Sequence, residues 1–513
     1  MTKVEKHIDV ETRLSVKHFS ANLFFKLFAF AAGLVFQIVY ARSLGPAGFA
    51  RVGLAMSVIS VATVFSNFSM DTALVRFGPT GQNEEESKIR IAGYLGFTLK
   101  VVLLTSTLCF VAICFMRDNL SRWIFPGGSI EREILYMAPM VIFAAWSTLE
   151  AGAMRAYEDI FRYSLVNDFL PRIIQGLSFL CFLLFLTHPV NTYILAFSTS
   201  IMLPLFIKIY FVRTKLETKA IIPKITIDRK EQREAFVFGL KGMAYAVLVT
   251  SMMQTTRLLL GIFGITEGIG LYMVAESLSL VLAYIAASLG TVLNPQISRL
   301  YSLKSNDTLM VLYKRLSRWA YLLVLPYTAM LICNAKLALS LFGKAFVGGE
   351  TALIILILAQ FAVVVMGLNG NMLYMTGSEN AFIVSQLLCV LFVIAFGILL
   401  IPLYGLQGGA LALSIGLVSM NLFLLFMMYK KFGTTQFDRR SWRLIVVGAI
   451  VFVLTYFASF FTVGNTILDL MIKTIFSYFA LLFAIRIFDW HDEDSEILRT
   501  IKMILKRRLF QFS

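Results

Sequence analysis

Charge is scarce in this chain: Asp, Glu, Lys and Arg make up 15% of 513 residues, against 58% hydrophobic residues and a mean hydropathy of +0.79. That excludes a string of ordinary soluble domains, whose surfaces need far more charge. The five cysteines, Cys109, Cys114, Cys181, Cys333 and Cys389, all fall inside apolar blocks and lack metal-ligand spacing. They read as small packing residues, with neither a metal nor redox chemistry indicated. Alternating segments of about ten residues are missing as well, which excludes a transmembrane β-barrel; Leu99 to Phe115 and Leu444 to Phe461 are apolar on every face. No connection between apolar blocks exceeds about 25 residues, which leaves no room for a soluble catalytic or ligand-binding domain. No nucleophile-base constellation appears, and no cofactor is called for. Residues 1–18 are mixed-charge and polar, and the apolar stretch after them is too long for the core of a signal peptide, so the first helix is expected to remain as an anchor. The net charge of +16 does not point to nucleic acid, because the basic residues sit at block ends rather than in one aromatic-laced patch.

What is present is a series of apolar blocks about 20 to 28 residues long, the length a helix needs to cross roughly 30 Å of hydrocarbon. The expected fold is an all-α polytopic membrane protein of about 14 helices. Their expected spans are 20–42, 50–77, 89–116, 134–156, 164–187, 191–213, 236–263, 268–295, 316–342, 351–375, 380–402, 406–431, 442–463 and 469–488. Lys and Arg concentrate in both termini and in every second connection, so the positive-inside rule puts both termini in the cytoplasm. The most basic connection, Arg213 to Arg233, lies midway. The expected organisation is a cytoplasmic N-terminus (1–19), a six-helix bundle (20–213), a basic linker (214–235), a second six-helix bundle (236–431), two extra helices (442–488) and a cytoplasmic tail (489–513).

The chain also matches itself. Leu44-Gly45 leading into Val52-Gly53-Leu54-Ala55-Met56-Ser57 corresponds to Phe263-Gly264 leading into Tyr272-Met273-Val274-Ala275-Glu276-Ser277, at an offset of 219 or 220. Leu74-Val75-Arg76-Phe77 with Ile297-Ser298-Arg299-Leu300, and Arg155-Ala156-Tyr157-Glu158 with Met375-Thr376-Gly377-Ser378, keep roughly that offset. An even number of helices separates equivalent points, so the halves are parallel, related by an axis along the membrane normal, with a cleft expected between them.

Ser43-Leu44-Gly45-Pro46-Ala47-Gly48-Phe49, Asp71-Thr72-Ala73-Leu74-Val75-Arg76-Phe77, Thr256-Arg257-Leu258-Leu259-Leu260-Gly261, Asn294-Pro295-Gln296-Ile297-Ser298 and Ile401-Pro402-Leu403-Tyr404-Gly405-Leu406-Gln407-Gly408-Gly409 resemble the polysaccharide-transporter (Wzx-type flippase) branch of the multidrug/oligosaccharidyl-lipid/polysaccharide (MOP) superfamily. The resemblance covers about residues 20–488. It implies a flippase that moves undecaprenyl-pyrophosphate-linked oligosaccharide from the cytoplasmic to the periplasmic leaflet of the inner membrane for O-antigen, capsule or exopolysaccharide synthesis. A proton or sodium ion would be the coupling ion, and glycan polymerase machinery a partner. Thr256 stands where many members carry an acidic residue. The rival readings are a multidrug exporter of the same superfamily and a membrane glycan polymerase or ligase. The first helix carries Lys26 and no carboxylate, and a cationic cavity would repel cationic drugs.

Such cargo calls for fixed cations inside the membrane. Lys26, Lys100, Arg172, Lys241 and Arg257 lie within the expected spans. Lys26 and Lys241 are close enough to helix ends to snorkel, whereas Lys100 is about 16 Å deep at 1.5 Å per residue, either a cavity lysine or an internal hydrogen-bonded one. Arg257 precedes the Gly264 turn by about as much as Glu276 follows it, so the two match in depth and are expected to pair, as a structural bridge or as a gate. Glu150, Asp168 and Arg172 read either as a self-neutralised triad or as a cytoplasmic capture site in which Arg172 and Arg76 take the diphosphate. Asp71 reads as a cap or as a partner for Arg76.

Overall fold

The computed structural model describes residues 3–80, 83–126, 129–217, 220–437 and 442–488; the side chains of residues 3–24, 26, 27, 84, 160, 289, 291–293 and 295 lie outside the description. The expected cytoplasmic tail at 489–513 falls outside it too. Among the described residues there is no strand. The helices run α1 (Lys3–Asn67), α2 (Met70–Phe77), α3 (Glu84–Ile124), α4 (Glu131–Met137), α5 (Met140–Ala156) and α6 (Ile160–Tyr163), then a π-helical turn (Ser164–Phe169) that leads into α7 (Leu170–Leu183). Next come α8 (Pro189–Lys215), α9 (Arg229–Ile262), α10 (Thr266–Ser302), α11 (Asn306–Cys333) and α12 (Ala335–Ser340). A 3-10 segment (Lys344–Gly349), α13 (Glu350–Val365), α14 (Asn369–Met375), α15 (Glu379–Tyr404), α16 (Leu406–Phe432), α17 (Trp442–Ser459) and α18 (Thr466–Phe488) complete the order.

Among the described residues, twelve helices are long and apolar enough to cross a membrane. Two features reconcile this with about 14 expected spans. The first two expected spans run together through α1, broken by a kink at Gly45 (φ 66°, ψ 175°) and counted as one stretch, Phe28–Phe77. The expected span at 164–187 opens with the π-helical turn, whose Leu170 N–H reaches back five residues to the Leu165 carbonyl, leaving α7 only 14 residues long.

Packing groups the chain into two units, and the grouping cuts across the sequence repeat. The first comprises Met1–Ser279, Phe342–Leu356 and Ser378–Phe423. In it α5 packs on α1, α2, α3 and α8, with Leu74, Leu95, Leu99, Leu149 and Ala153 buried together. Lipid tails are as apolar as leucine, so close approach at small residues holds such helices. A Cβ on Gly152 would stand 2.9 Å from the Asp71 backbone, and one on Gly53 would collide with Met273. The second unit comprises Leu280–Leu341, Ile357–Gly377 and Leu424–Ser513. Its core lies where α11 meets α17 and α18, at Leu322, Leu325, Val447, Val451, Leu481 and Ala484. On α18, Lys473 pairs with Asp469 at 3.3 Å, both buried.

The repeat is visible in the backbone. Gly45 in the α1 kink (φ 66°) and Gly264 in the α9–α10 turn (φ 74°), 219 positions apart, both take the left-handed conformation that side chains disfavour. This is why the repeat is most legible at these turns.

Candidate functional site

The charges singled out in the sequence fall mainly at three places in the first unit. The first is the α9–α10 hairpin. Arg257 donates from Nε to Glu276 Oε2 at 2.9 Å and from Nη2 to the same oxygen at 2.5 Å, so the pair expected from matched depth is formed. Glu276 is almost fully buried, and the Ser279 hydroxyl donates to its backbone carbonyl. Tyr272, Glu276 and Ser279, which place polar groups along α10 at intervals of four and three residues, are all buried and so packed rather than open.

Around this pair the repeat crosses over. Ser57 and Ser277 are equivalent at offset 220; the Ser57 hydroxyl donates to Gln254 of α9 at 2.8 Å, while Gln37 of α1 donates to the Ser277 hydroxyl at 2.7 Å. Gly270 sits against the Pro46 backbone of the α1 kink. The α1 and α9–α10 hairpins are therefore knitted by reciprocal hydrogen bonds.

Arg172 on α7 is brought towards the same place. Its stem lies 3.8 Å from a Cβ built on Gly33, and it stands within electrostatic reach of Tyr40 and Tyr193. Tyr193 is also within reach of Arg257. The Tyr40, Tyr193 and Phe179 rings pack edge to face, with the Tyr40 centroid 4.8 Å from Phe179 and 5.1 Å from Tyr193. Arg172 is exposed, and among the described residues no carboxylate pairs with it.

The second place corrects the expected Glu150–Asp168–Arg172 triad. Glu150 is fully buried and takes a bidentate clamp from Arg213, with Nη2 to Oε1 at 2.7 Å and Nη1 to Oε2 at 3.1 Å, plus the Trp146 indole N–H at 2.9 Å. Arg213 also donates to the Ala220 and Ile221 carbonyls, tying down the connection that follows α8. Asp168 does not reach Arg172, because the widened π-helical turn rotates it away from the face that an unbroken α-helix would share. It accepts from Asn167 and lies within electrostatic reach of Lys208. Lys208, buried on α8, donates to Ser147 Oγ and Asn167 Oδ1, both at 2.8 Å. Neither was expected as a site residue: Arg213 closes the expected span 191–213, and Lys208 lies five residues inside it. Just outside the spans, burial raises the Tyr157 phenol above its ordinary range, against the opposing pull of Arg213.

The third place is the end of α2. Asp71 pairs with Arg155 at 2.7 Å and accepts from Asn67 at 2.8 Å, so the expected Asp71–Arg76 pairing is corrected. Five residues on an α-helix turn a side chain about 140° away, and Arg76 instead stacks over Phe238 at 4.6 Å. Lys241, exposed on α9, lines a groove of about 490 Å³ beside Phe77 and Phe238. Lys100 is exposed on α3 without a hydrogen-bond partner among the described residues, which removes the internal hydrogen-bonded alternative. The Pro223 carbonyl stands against Gly96, so the polar connection before α9 lies about one turn from Lys100, well short of the 16 Å of depth expected. The side chain of Lys26 lies outside the described residues. Among the described residues, no cluster of three or more His, Cys, Asp or Glu side chains could hold a metal ion.

The chain matches known proteins along most of its length. Over 95% of the chain and 99% of the relative, it is 21% identical to an uncharacterized membrane protein of Methanocaldococcus jannaschii. Its structure is similar to that of the lipid II flippase MurJ in an inward closed conformation (TM-score 0.73, 16% identity, 92% of this chain and 98% of that one). An inward-facing multidrug resistance MATE family transporter of the MOP superfamily follows (TM-score 0.65, 16% identity, 80% and 98%). A MOP superfamily transporter from Pyrococcus furiosus, described as having a binding pocket of reversed polarity, is also similar (TM-score 0.57, 15% identity, 82% and 95%). Residues 15–301, more than half of the chain, match the family described as polysaccharide biosynthesis protein. With apolar helices that cross the membrane many times and the fold of the MOP superfamily flippases, the chain belongs to the polysaccharide biosynthesis protein family.

Proposed function

We propose that this protein flips an undecaprenyl-diphosphate-linked oligosaccharide from the cytoplasmic to the periplasmic leaflet of a bacterial inner membrane, for O-antigen, capsule or exopolysaccharide assembly. The observation that carries this is that Arg257, paired with Glu276, and Arg172, with no carboxylate partner among the described residues, both stand within electrostatic reach of Tyr193. Two guanidinium forks with one counter-charge suit a diphosphate, whose oxygens accept bidentate hydrogen bonds. Apolar surroundings, among them the packed rings of Tyr40, Tyr193 and Phe179, strengthen that attraction. A cationic lining of this kind disfavours a cationic drug as cargo.

In this reading both termini are cytoplasmic, as the Lys and Arg distribution directs. The two six-helix halves rock about the repeat axis, and the reciprocal Ser57–Gln254 and Gln37–Ser277 bonds hold the periplasmic side shut until cargo is loaded. Glu276 is the coupling group: protonation or sodium binding releases Arg257 to the diphosphate. Chemistry on the glycan is left to the polymerase machinery, and this chain acts as a transporter rather than as an enzyme.

The test is flipping of a fluorescent polyprenyl-diphosphate sugar in proteoliposomes, read by quenching from outside. Arg257→Ala and Arg172→Ala are each expected to slow flipping at least about tenfold, the loss of one charge-assisted hydrogen bond or more. Unchanged rates at equal protein levels would overturn the assignment.

A further inference from the structure

A second cationic feature, away from the Arg257–Arg172 pair, lies where the end of α2 meets the first turns of α9. Lys230, Arg233, Val237 and Lys241 share one face of α9 at intervals of three, four and four residues and line the groove of about 490 Å³. Its apolar wall is Phe77 and Phe238, packed edge to face with centroids 5.5 Å apart. Arg76 lies flat over Phe238 at 4.6 Å and over Phe77 at 5.6 Å, so its stacking is set by rings rather than by a carboxylate.

The acids nearby are almost all engaged elsewhere. Glu231 closes the start of α9 by accepting from the Asp228 backbone N–H at 3.0 Å and pairs with Arg90 at 2.8 Å. Glu234 is the one carboxylate lining the groove. Against it stand Arg76, Lys230, Arg233 and Lys241, none of which makes an ion pair among the described residues. Three lining cations less one anion leave the groove a net charge of +2, and Arg76 stacks on its phenyl wall.

A solvated helix face carries scattered cations as well, but it does not set them along a phenyl wall on a ramp that runs into the membrane. From Lys230 to Lys241 the groove climbs about 16 Å at 1.5 Å per residue, from the polar start of α9 into its apolar stretch. An occupant must carry compact negative charge that moves past the cations and an apolar part that runs against Val237, Phe77 and Phe238. A phospholipid phosphodiester carries one negative charge; a diphosphate diester carries two and matches the net charge better. The volume, in the range of small-molecule sites, accepts a diphosphate with its first sugar.

We propose that this α2–α9 groove is a capture site for the diphosphate of a polyprenyl-linked sugar, occupied before the cargo reaches Arg257 and Arg172. The proposal rests on the reading of the protein as a flippase of such lipids and adds to it a loading step with its own residues. The groove sets how strongly cargo is collected from the membrane, not how fast loaded cargo crosses.

The experiment uses the full-length protein in phosphatidylcholine nanodiscs. Binding of undecaprenyl diphosphate, phosphatidylglycerol and inorganic pyrophosphate is measured in separate arms by native mass spectrometry. Undecaprenyl diphosphate is expected to bind in preference to the other two. Arg233→Gln with Lys241→Gln should weaken it about tenfold or more, two charge-assisted contacts being lost. Glu234→Gln should tighten it, a change of opposite sign that misfolding cannot mimic. In proteoliposomes the double variant should raise the lipid concentration for half-maximal flipping while leaving the maximal rate within about twofold. Equal binding by wild type and double variant overturns the groove assignment and leaves the flippase reading standing if Arg257→Ala still abolishes flipping. Preference for phosphatidylglycerol, or pyrophosphate binding as tightly as the lipid, overturns it in favour of a phospholipid or a free-phosphate site. A wild type that neither binds nor flips the polyprenyl diphosphate overturns the flippase reading itself, and the capture site with it.

Discussion

Removing the Glu150 charge should destabilise the fold far more than removing that of Glu276. Glu150 is fully buried and meets Arg213 through two hydrogen bonds of 2.7 and 3.1 Å. At 2.7 Å and an effective dielectric of about 20, the Coulomb attraction is about 6 kcal/mol before desolvation is subtracted. Breaking such a pair from one side leaves a buried charge behind and costs about 3–5 kcal/mol. Glu150→Gln should fall near 3 kcal/mol, because Arg213 keeps its bonds to the Ala220 and Ile221 carbonyls and an amide can still accept from Trp146. Glu150→Leu combined with Arg213→Met should recover most of the loss, since a packed apolar pair of similar volume is often neutral. The assay is reversible unfolding in mixed detergent and dodecyl sulfate micelles, followed by tryptophan fluorescence. If Glu150→Gln lies within about 1 kcal/mol of wild type, or the double variant is no better than the single, the buried-pair account is wrong.

Glu276→Gln should lose the pH or sodium dependence of flipping while costing less stability than Glu150→Gln, because Arg257 keeps about a fifth of its side chain exposed; full retention of that dependence would remove Glu276 from coupling. Gly53→Leu should destabilise by about 1–3 kcal/mol through overpacking against Met273, read in the same micelle assay, and Met273→Ala in the same chain should restore part of it. Ser57→Ala with Ser277→Ala removes the two reciprocal hydrogen bonds; it should raise cysteine-probe labelling near Pro46 from outside the cell, and unchanged labelling would refute their role in holding that side shut.

The helices were legible because lipid demands long apolar stretches, and the repeat was legible because both halves need a left-handed glycine at the same turn. Arg257 and Glu276 could be paired from sequence since a tight hairpin fixes the depth of residues counted from its turn. That argument fails wherever the count crosses an irregularity. The π-helical turn at Ser164–Phe169 has no signature in the composition, and it breaks the α-helical register that would set Asp168 and Arg172 on one face. Glu150 found Arg213 rather than Arg172 because the long guanidinium reaches inward from a helix end, which a count of charges within spans does not register. The Asp71–Arg76 pairing was avoidable, since the five-residue spacing already separates their faces. The groove beside Lys241 was not, because it takes the meeting of α2 with α9 to set Phe77 and Arg76 against Lys230 and Arg233.

The central claim, that lipid-linked oligosaccharide crosses the membrane through this protein, is tested most directly in the organism that carries it. With the gene deleted and no redundant flippase present, lipid-linked oligosaccharides are extracted and their sidedness read with an enzyme that reaches only the outer leaflet. The account predicts complete, unpolymerised units trapped facing the cytoplasm and loss of surface glycan, both reversed by the wild-type gene and not by one encoding Arg257→Ala. Normal surface glycan with no trapped intermediate would contradict it.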